Sequence, residues 1–458
     1  MRLTVHDDFR ALAGARELSL PDAGTLGEVL EAAAQAAPAL RGRTFTLHGA
    51  LAPELALTVN GVEARLLGGL RAALRPGDRI ELGPSSYPPF TPREAERYAR
   101  QMILGEIGAV GQQRLRAARV AVVGAGGLGA PAATYLAAAG VGQLVVIDGD
   151  RVERSNLQRQ PVHRDEDVGR PKAQSAARTL RALNPDVEVI AVERFLDAGN
   201  ALEILSGADV IVNGSDNFPT RYLVSDAAVL LGRPLVDASI LRFEGRLMVF
   251  LPRWGCYRCL FPSPPPPGSV PSCAEAGVIG ALGGQMGSLQ ALEAIKLITG
   301  AGESLGGQML LWDALRGEQH RFALPHDPDC PVCGEHPTQT DLVDYVAFCG
   351  IEGPGERADL GISVAEAARL QDDPGVQWLD VRVPGAMARP TIPGAIRLPL
   401  EELGRGDVLD AGRPVVVFCE IGRRSHLAAE RLAREGIAAR SLEGGIVAWT
   451  AAGLSLTS

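Results

Sequence analysis

The 458-residue sequence has no block of lysine or arginine, and its 45 basic residues are outnumbered by 54 acidic residues, which gives a formal net charge of -9. This balance argues against nucleic acid or an anionic membrane as the main partner. A long uninterrupted apolar run is also lacking, because the most apolar stretch, 278–298, contains Gln, Glu and Lys. The N-terminus has charges where a signal peptide would have an apolar core. We therefore expect a cytoplasmic protein without a membrane segment.

Cysteine is scarce, and its count of seven is odd. This number, with four of the cysteines arranged as two C-x2-C pairs, fits a reducing compartment with a metal site better than a disulfide framework. Four thiolates in two turn-like knuckles predict a structural, tetrahedral Zn²⁺ site. A redox-active pair is the alternative, disfavoured because neither pair is predicted to open a helix after a thioredoxin-like strand. The four predicted ligands are Cys256, Cys259, Cys330 and Cys333.

The chain is too long for one ordinary core, and its patterns predict three α/β segments. Residues 1–83 predict a small mixed sheet packed on one helix at Leu26–Ala37, with a hairpin at Asn60–Gly61. A linker over 85–92 follows. The predicted strands of this segment are Arg2–Val5, Leu55–Val59 and Arg79–Leu82.

Residues 92–338 alternate between buried-type strands and helical patterns, which predicts a doubly wound, Rossmann-like parallel sheet. Residues 360–458 show a shorter α/β alternation with a buried strand at Pro414–Phe418. Cys349 lies in the polar stretch between these two segments, and we interpret it as incidental. The predicted central strands include Arg119–Val123, Gln143–Ile147 and Asp209–Asn213.

A glycine-rich loop follows the first central strand and opens a helix. Glycines let the backbone approach a phosphate, while the helix N-terminus supplies N–H donors. Asp148, at the end of the next strand, is placed to hold ribose hydroxyls. Alone, these features fit an NAD-dependent dehydrogenase, or a glycine turn that merely packs a helix on a strand. The glycines are Gly124, Gly126, Gly127 and Gly129.

The residues that follow do not fit a dehydrogenase, because they combine cations, amides and further acids suited to a triphosphate and Mg²⁺. Together with two further strings, they resemble the ThiF/MoeB adenylyltransferase family, relatives of the ubiquitin-activating enzymes, over about Pro92–Gly334. The strings are Asp148–Asp150, Ser155–Gln160, Gly169–Lys172, Ser215–Asn217 with Arg221, Arg97–Gln101 and Ser272–Gly277.

This resemblance implies an ATP site and a reaction. A carboxylate attacks the α-phosphate, and pyrophosphate leaves to give an acyl-adenylate. Asp216 would hold Mg²⁺ and act in catalysis, and Arg100 would reach the phosphates bound by the neighbouring subunit of a homodimer, where loss of such a cation costs on the order of a thousandfold. The resemblance also implies that Cys273 can bond to the substrate; a buried or loop-stabilising thiol is the alternative. Besides the glycines, the implied ATP-binding residues are Asp148, Asn156, Arg159, Lys172 and Asn217.

Near the C-terminus, the loop Cys419–Ser425 lies between a buried strand and a helical pattern, so its N–H groups should surround the sulfur, and Arg423 and Arg424 add positive charge. Together with three further strings, this loop resembles a rhodanese domain, which implies that Cys419 carries a persulfide. Val383 and Thr391 replace an acid and a histidine that are common there, which we expect to alter partner contacts. The strings are Asp380–Arg382, Ile392–Ala395 and Gly444–Trp449.

The first segment resembles ThiS/MoaD-like sulfur carriers, which have a β-grasp fold and end in a free Gly-Gly. Here Leu82–Pro89 runs into the next domain, and Gly68–Gly69 lies inside the segment, so no free glycine carboxylate exists. We therefore predict a docking or regulatory module, and a separate carrier as the substrate.

Together these features predict an enzyme that adenylates the C-terminal glycine of a ubiquitin-like sulfur carrier ending in Gly-Gly and converts it to a thiocarboxylate. Sulfur would come from Cys419, with Cys273 as a further thiol, after loading by a cysteine desulfurase or another persulfide donor. The pathway could be molybdopterin, thiamine or related cofactor synthesis, and the MoeB-like character favours molybdopterin. The alternatives are an activating enzyme for protein conjugation and a non-catalytic scaffold.

Overall fold

The structure is a computed structural model that describes residues 1–21, 23–44, 55–84, 90–252, 254–266, 270, 276–350, 360–403 and 409–457. The chain divides into two compact units. The first unit holds Met1–Pro264 with Val278–Phe348, and the second holds the C-terminal part of the chain.

The N-terminal part of the first unit is a five-stranded mixed sheet in the order β2-β1-β5-β3-β4, in which β1 and β5 are parallel. One helix, α2, buries Leu26, Val29 and Leu30 in the same core as Leu3 and Val5. The strands are β1 (Arg2–Val5), β2 (Glu17–Ser19), β3 (Leu55–Val59), β4 (Val62–Glu63) and β5 (Arg79–Pro84), and the helices are α1 (Asp7–Ala13), α2 (Leu26–Ala36) and α3 (Pro38–Thr44).

The three predicted strands and the predicted helix of this part are confirmed, whereas α1, β2 and α3 were not predicted. Asn60 and Gly61 have φ values of 52° and 81°, the two positive angles of the expected tight hairpin. Pro38 separates α2 from α3, but it also begins α3, because proline is tolerated in the first turn of a helix.

The central part of the first unit is an eight-stranded sheet in the order β13-β12-β11-β10-β9-β6-β7-β8. Strands β6 to β10 pair in parallel, as predicted, whereas β11 to β13 add an antiparallel extension that was not predicted. The strands are β6 (Arg119–Val123), β7 (Gln143–Ile147), β8 (Glu188–Val192), β9 (Val210–Asn213), β10 (Leu235–Leu241), β11 (Glu244–Phe250), β12 (Gln308–Asp313) and β13 (Glu318–Ala323).

Helix α11 (Gly280–Thr299) packs directly on the loop that precedes α6. A Cβ atom at Gly283 would lie 2.7 Å from the Gly127 carbonyl oxygen, and one at Gly287 would lie 2.3 Å from that of Leu128. None of the described helices is long and apolar enough to cross a membrane. The other helices of this part are α4 (Pro92–Met102), α5 (Gly108–Ala117), α6 (Gly129–Ala139), α7 (Lys172–Leu183), α8 (Ala201–Leu205), α9 (Phe218–Leu231), α10 (Tyr257–Leu260) and α12 (Tyr345–Phe348).

The small N-terminal sheet contacts the central part at the C-terminal end of α11. Arg114 donates from Nη1 to the Thr299 carbonyl at 2.8 Å and from Nη2 to the Leu55 carbonyl at 3.2 Å. Arg65 donates to the Ile298 carbonyl at 2.7 Å. Val62 packs against the core of the central sheet.

The second unit contains a parallel five-stranded sheet in the order β14-β18-β17-β15-β16. Trp378, Phe418 and Trp449 form part of its core, and Cys419 comes directly after β17. Its strands are β14 (Gly361–Ile362), β15 (Gln377–Asp380), β16 (Ile396–Arg397), β17 (Val415–Phe418) and β18 (Ala439–Leu442), and its helices are α13 (Val364–Arg369), α14 (Pro384–Met387), α15 (Arg423–Arg434) and α16 (Gly445–Ala451).

Candidate functional site

The glycine-rich loop connects β6 to α6 in a conformation that requires glycine. Gly124 has a φ of 87°, and a Cβ atom at Gly129 would lie 1.7 Å from the Gly124 carbonyl oxygen. Within the described part of the chain, the N–H groups of Gly126, Gly127 and Leu128 donate to no acceptor. Free donors at the N-terminus of an eleven-residue helix form a site for an anion such as a phosphate.

Asp148 lies beside this loop at the end of β7. Its Oδ2 accepts from the Ala125 N–H at 2.8 Å, and its Oδ1 accepts from the Asp150 N–H at 2.8 Å. Burial raises the pKa of Asp148, and the nearby Lys172 opposes this shift. Lys172, the first residue of α7, places Nζ 2.9 Å from Oδ2 of Asp150. The structure thus brings the predicted acid and the predicted cation together.

Arg159 and Asn156 lie in the turn that faces the glycine-rich loop. The Cγ and Cδ atoms of Arg159 are 3.5 Å from where a Cβ atom of Gly127 would lie, so the arginine stem covers this glycine. The Arg159 guanidinium donates to the Ser155 carbonyl at 2.9 Å. Asn156 is buried, and its side-chain oxygen accepts from the Glu153 N–H at 3.2 Å. Asn156 therefore shapes the turn that carries Arg159.

Asp216 and Asn217 follow β9, which is the neighbour of β6 in the sheet. Asp216 is exposed, and the side-chain oxygen of Asn217 caps α9 by accepting from the Thr220 N–H at 2.9 Å. Gly214 packs against the glycine-rich loop, since a Cβ atom there would lie 2.6 Å from the Gly129 nitrogen. The carboxyl ends of three adjacent parallel strands therefore collect the predicted residues at one edge of the sheet.

The expectation that Arg221 helps to grip a triphosphate is wrong. Its guanidinium is buried, forms an ion pair with Asp237, and donates to the Ser215 carbonyl at 2.9 Å. Asp237 also accepts from the Asn213 side chain at 2.7 Å. Arg221 therefore serves as the cation that the buried Asp237 carboxylate requires.

The roles predicted for Arg100 and Cys273 remain predictions. Arg100 is exposed on α4 and makes no ion pair with any residue that the structure describes. Cys273 lies outside the described residues.

The four predicted metal ligands lie close together, with their Sγ atoms within 4.8 Å of one another. The Sγ atoms of Cys256 and Cys330 are 3.6 Å apart, and those of Cys259 and Cys333 are 3.3 Å apart. Tetrahedral zinc with Zn–S bonds of about 2.3 Å requires sulfur separations of about 3.8 Å, so the donor set fits this ion. Cys256 is the N-cap of the single-turn α10, which does not directly follow a strand, since β11 ends at Phe250.

In the second unit, Cys419 is fully buried and its loop curls around the sulfur as predicted. The Gly422 N–H lies 3.2 Å from Sγ, and Oγ of Ser425 lies 3.6 Å from it. Arg424 does not leave its charge free for the sulfur, because its Nη2 lies 2.6 and 2.8 Å from the two carboxylate oxygens of Glu401. The loop's N–H and hydroxyl groups are therefore the observed stabilisers of the sulfur.

Thr391, predicted to alter partner contacts, is instead buried and donates to Oδ2 of Asp380 at 2.8 Å. Arg382 binds the same carboxylate through Nε and Nη2 at distances from 2.8 to 3.0 Å. Thr391 therefore completes an internal ion pair. Cys349 is also buried.

Two buried residues beside the glycine-rich loop were not assigned a role from the sequence. His163 is buried, with Nε2 3.0 Å from the Ala125 carbonyl oxygen. Gln160 is buried, and its side-chain oxygen finds no partner in the described part of the chain. Gln160 lies within the quoted string Ser155–Gln160, but no spacing rule assigned it or His163 a role.

A glycine-rich loop with free N–H donors, acids after the two strands that flank it and a loop around a buried cysteine sulfur in the same chain define an enzyme that joins nucleotidyl transfer to sulfur transfer. Residues 98–332 match the ThiF family, and residues 363–452 match the rhodanese-like domain. The chain belongs to the ThiF family.

The chain is 43% identical over 436 residues to the mouse (Mus musculus) adenylyltransferase and sulfurtransferase MOCS3, covering 85% of this chain and 93% of that protein. It is 44% identical over 372 residues to the probable adenylyltransferase/sulfurtransferase MoeZ of Mycobacterium tuberculosis, covering 78% of this chain and 93% of MoeZ. It is 55% identical over 268 residues to a sulfur carrier protein adenylyltransferase of Thermus thermophilus, covering 57% of this chain and 99% of that protein. The predicted enzyme class, an adenylyltransferase with a sulfurtransferase domain, is confirmed.

Proposed function

We propose that the chain uses ATP to adenylate the C-terminal glycine of a separate ubiquitin-like sulfur carrier, and then delivers sulfur from Cys419 to form a thiocarboxylate. The observation that carries this proposal is the edge of the sheet where the glycine-rich loop, with free N–H donors, follows β6, and where Asp148 and Asp216 follow the flanking strands β7 and β9. The printed names of relatives support the substrate class, since one is a sulfur carrier protein adenylyltransferase and another is a SAMP-activating enzyme E1 of Haloferax volcanii.

In this proposal the phosphates of ATP lie on the N–H groups that open α6, and Asp148 holds the ribose hydroxyls. Lys172 and Arg159 supply positive charge near the phosphates, where charge develops as pyrophosphate leaves. Mg²⁺ would be held by Asp216, whose exposed carboxylate offers the oxygen ligands that this ion prefers. Asn217 and Asn156 would fix the two loops that carry these groups.

Sulfur transfer follows from the chemistry of the loop around Cys419. The outer sulfur of a Cys419 persulfide attacks the acyl carbon, AMP leaves, and an acyl disulfide forms. A second thiol then attacks the Cys419 sulfur, which releases the thiocarboxylate and leaves a disulfide. Cys273 is our proposed second thiol. A thiol reductant would then reduce the disulfide, and a cysteine desulfurase or another persulfide donor would transfer sulfur to the freed Cys419 thiol. Molybdopterin synthesis is our preferred pathway.

We propose that the N-terminal sheet is a β-grasp domain that serves as a docking or regulatory module and not as the substrate. Pro84, at the end of β5, pairs with Leu55, whose carbonyl is held by Arg114 beside Thr299. The glycine-rich loop contacts Gly283, and the helix from Gly283 to Thr299 spans about 24 Å at about 1.5 Å per residue. The strand end from which a carrier's tail would extend is therefore far from the nucleotide edge.

Three further features belong to this proposal. The four-cysteine cluster binds structural zinc, which ties the segment after β11 to the segment after β13. The enzyme acts as a homodimer in which Arg100 reaches the partner's phosphates. The enzyme itself is located in the cytoplasm.

The decisive experiment is ATP–pyrophosphate exchange with candidate Gly-Gly-ended carriers, compared between the wild type, Asp216→Ala and Glu203→Ala. Glu203 is an exposed acid on α8 outside the site and serves as the matched control. Exchange should require one carrier, disappear in D216A and persist in E203A. If none of the tested carriers supports exchange, the proposal is contradicted.

A second measurement separates sulfur transfer from conjugation. After incubation with a persulfide donor, the intact mass of the carrier should rise by the replacement of one oxygen by one sulfur, whereas conjugation would give covalent adducts of high mass. Deletion of residues 1–83 tests the N-terminal module: unchanged carrier affinity and activity would remove its proposed role.

A further inference from the structure

His163 contacts the glycine-rich loop at Ala125 and has no role in the proposed adenylation or sulfur transfer. Its side chain is 4% exposed. Nε2 lies 3.0 Å from the Ala125 carbonyl oxygen, and Nδ1 lies 2.9 Å from Oγ of Ser175 on α7. A carbonyl oxygen only accepts hydrogen bonds, so Nε2 must carry the proton and Nδ1 accepts from the Ser175 hydroxyl.

This contact determines which way one N–H group of the loop points. The Ala125 carbonyl and the Gly126 N–H belong to the same planar, trans peptide group, in which C=O and N–H point in opposite directions. Because His163 holds the carbonyl on its own side, the Gly126 N–H is turned away from His163. Asp148 holds the Ala125 N–H at 2.8 Å, so the two peptide groups that flank Ala125 are both fixed.

Without this contact the peptide group could rotate. Glycine adopts positive and negative φ about equally well, so the bond between Ala125 and Gly126 can flip at little steric cost. A flip would turn the carbonyl oxygen toward the phosphate site and remove a donor from it. The free Gly126 N–H is one of the three loop donors without an acceptor in the described part of the chain.

We propose that His163, supported by Ser175, is a positioning residue that keeps the Gly126 N–H directed at a nucleotide phosphate. This inference rests on the proposed ATP site. It predicts that loss of the histidine weakens the binding of nucleotides through their phosphates while leaving the binding of the nucleoside unchanged.

The test compares ATP and adenosine binding by calorimetry in the full-length wild type, His163→Ala, His163→Gln, Ser175→Ala and Thr179→Val. A hydrogen bond to a charged group is worth more than the about 1.4 kcal/mol that corresponds to a factor of ten. ATP affinity should therefore fall about tenfold or more in H163A, with adenosine affinity unchanged. The Gln amide can donate to the Ala125 carbonyl, so H163Q should recover part of the loss, and S175A should show a smaller loss.

Thr179→Val is the matched control, because Thr179 on the same helix as Ser175 donates to the Val162 carbonyl at 2.7 Å without touching the loop. It should leave the ratio of ATP to adenosine affinity at the wild-type value. An unchanged ratio in H163A, or an equal fall for both ligands, would overturn the inference. If H163A is poorly folded, the ratio of ATP to adenosine affinity in H163Q and S175A tests the inference instead. Absence of ATP binding by the wild type would instead refute the proposed function.

Discussion

The ion pair of Arg221 with Asp237 gives a prediction that distinguishes two roles for Arg221: stabilising the buried Asp237 carboxylate, or binding a phosphate. Arg221 is 6% exposed and Asp237 is fully buried, so removing the cation leaves a buried carboxylate without its ion-pair partner. Removing one partner of a buried pair costs about 3–5 kcal/mol. Burial already raises the pKa of Asp237, and Arg221 is the main group that opposes this shift. Arg221→Met should therefore destabilise β10 strongly.

Hydrogen exchange measured by mass spectrometry can detect this effect in the intact chain. Peptides that cover Leu235–Leu241 should exchange more than a hundredfold faster in R221M, since 3 kcal/mol exceeds two factors of ten. Peptides from β17, Val415–Phe418, provide the internal control and should not change. The double variant R221M/Asp237→Asn should recover much of the protection, because the charge is gone and an Asn side chain still accepts from Asn213.

The opposite result would refute this interpretation. If exchange in β10 is unchanged in R221M while ATP affinity falls, Arg221 acts as a phosphate ligand and the observed ion pair does not persist when nucleotide binds. If the double variant is less protected than R221M, the cost does not arise from an unpaired carboxylate.

Three further predictions follow from the other sites. Cys419→Ala should abolish thiocarboxylate formation but leave ATP–pyrophosphate exchange at the wild-type rate, and loss of both activities would contradict the separation of the two chemistries. Cys259→Ser should lower bound zinc, measured by elemental mass spectrometry, and also lower Tm, because metal binding contributes to folding; an unchanged Tm would argue against structural zinc. Burial lowers the pKa of His163 from 6.5, so its contribution to stability is present at neutral pH and is lost as the pH falls through the lowered value. Tm should therefore fall less between pH 7.5 and 5.5 in His163→Gln than in the wild type.

The strands and the loops of the site could be predicted because their signals are local. A run of apolar residues followed by glycines determines both β6 and the start of α6, and the same argument places Cys419 between β17 and α15. Strand β13 could not be predicted because it is exposed along its whole length and has no apolar periodicity. Helix α3 escaped because Pro38 is a stop signal as well as a favourable first residue.

The partners of charged side chains could not be predicted because they lie far apart in sequence. Arg424 has the residue type and position to stabilise a thiolate, yet Glu401 takes up its charge. Arg221 similarly sits in a string of nucleotide-binding residues but pairs with Asp237. A sequence string identifies which residue types are near a site; tertiary pairing decides which of them face it.

The N-terminal sheet is attached to the helix that packs on the glycine-rich loop. We predict that this sheet is not the substrate, because Leu82–Pro89 contains no Gly-Gly and runs into the next domain. In the structure, Arg114 and Arg65 fix the N-terminal sheet to the last turn of α11. The first turns of that helix pack on the glycine-rich loop through Gly283. Helix α11 therefore connects the N-terminal sheet to the glycine-rich loop, and we expect any effect of deleting residues 1–83 on the ATP affinity to be accompanied by faster hydrogen exchange along that helix.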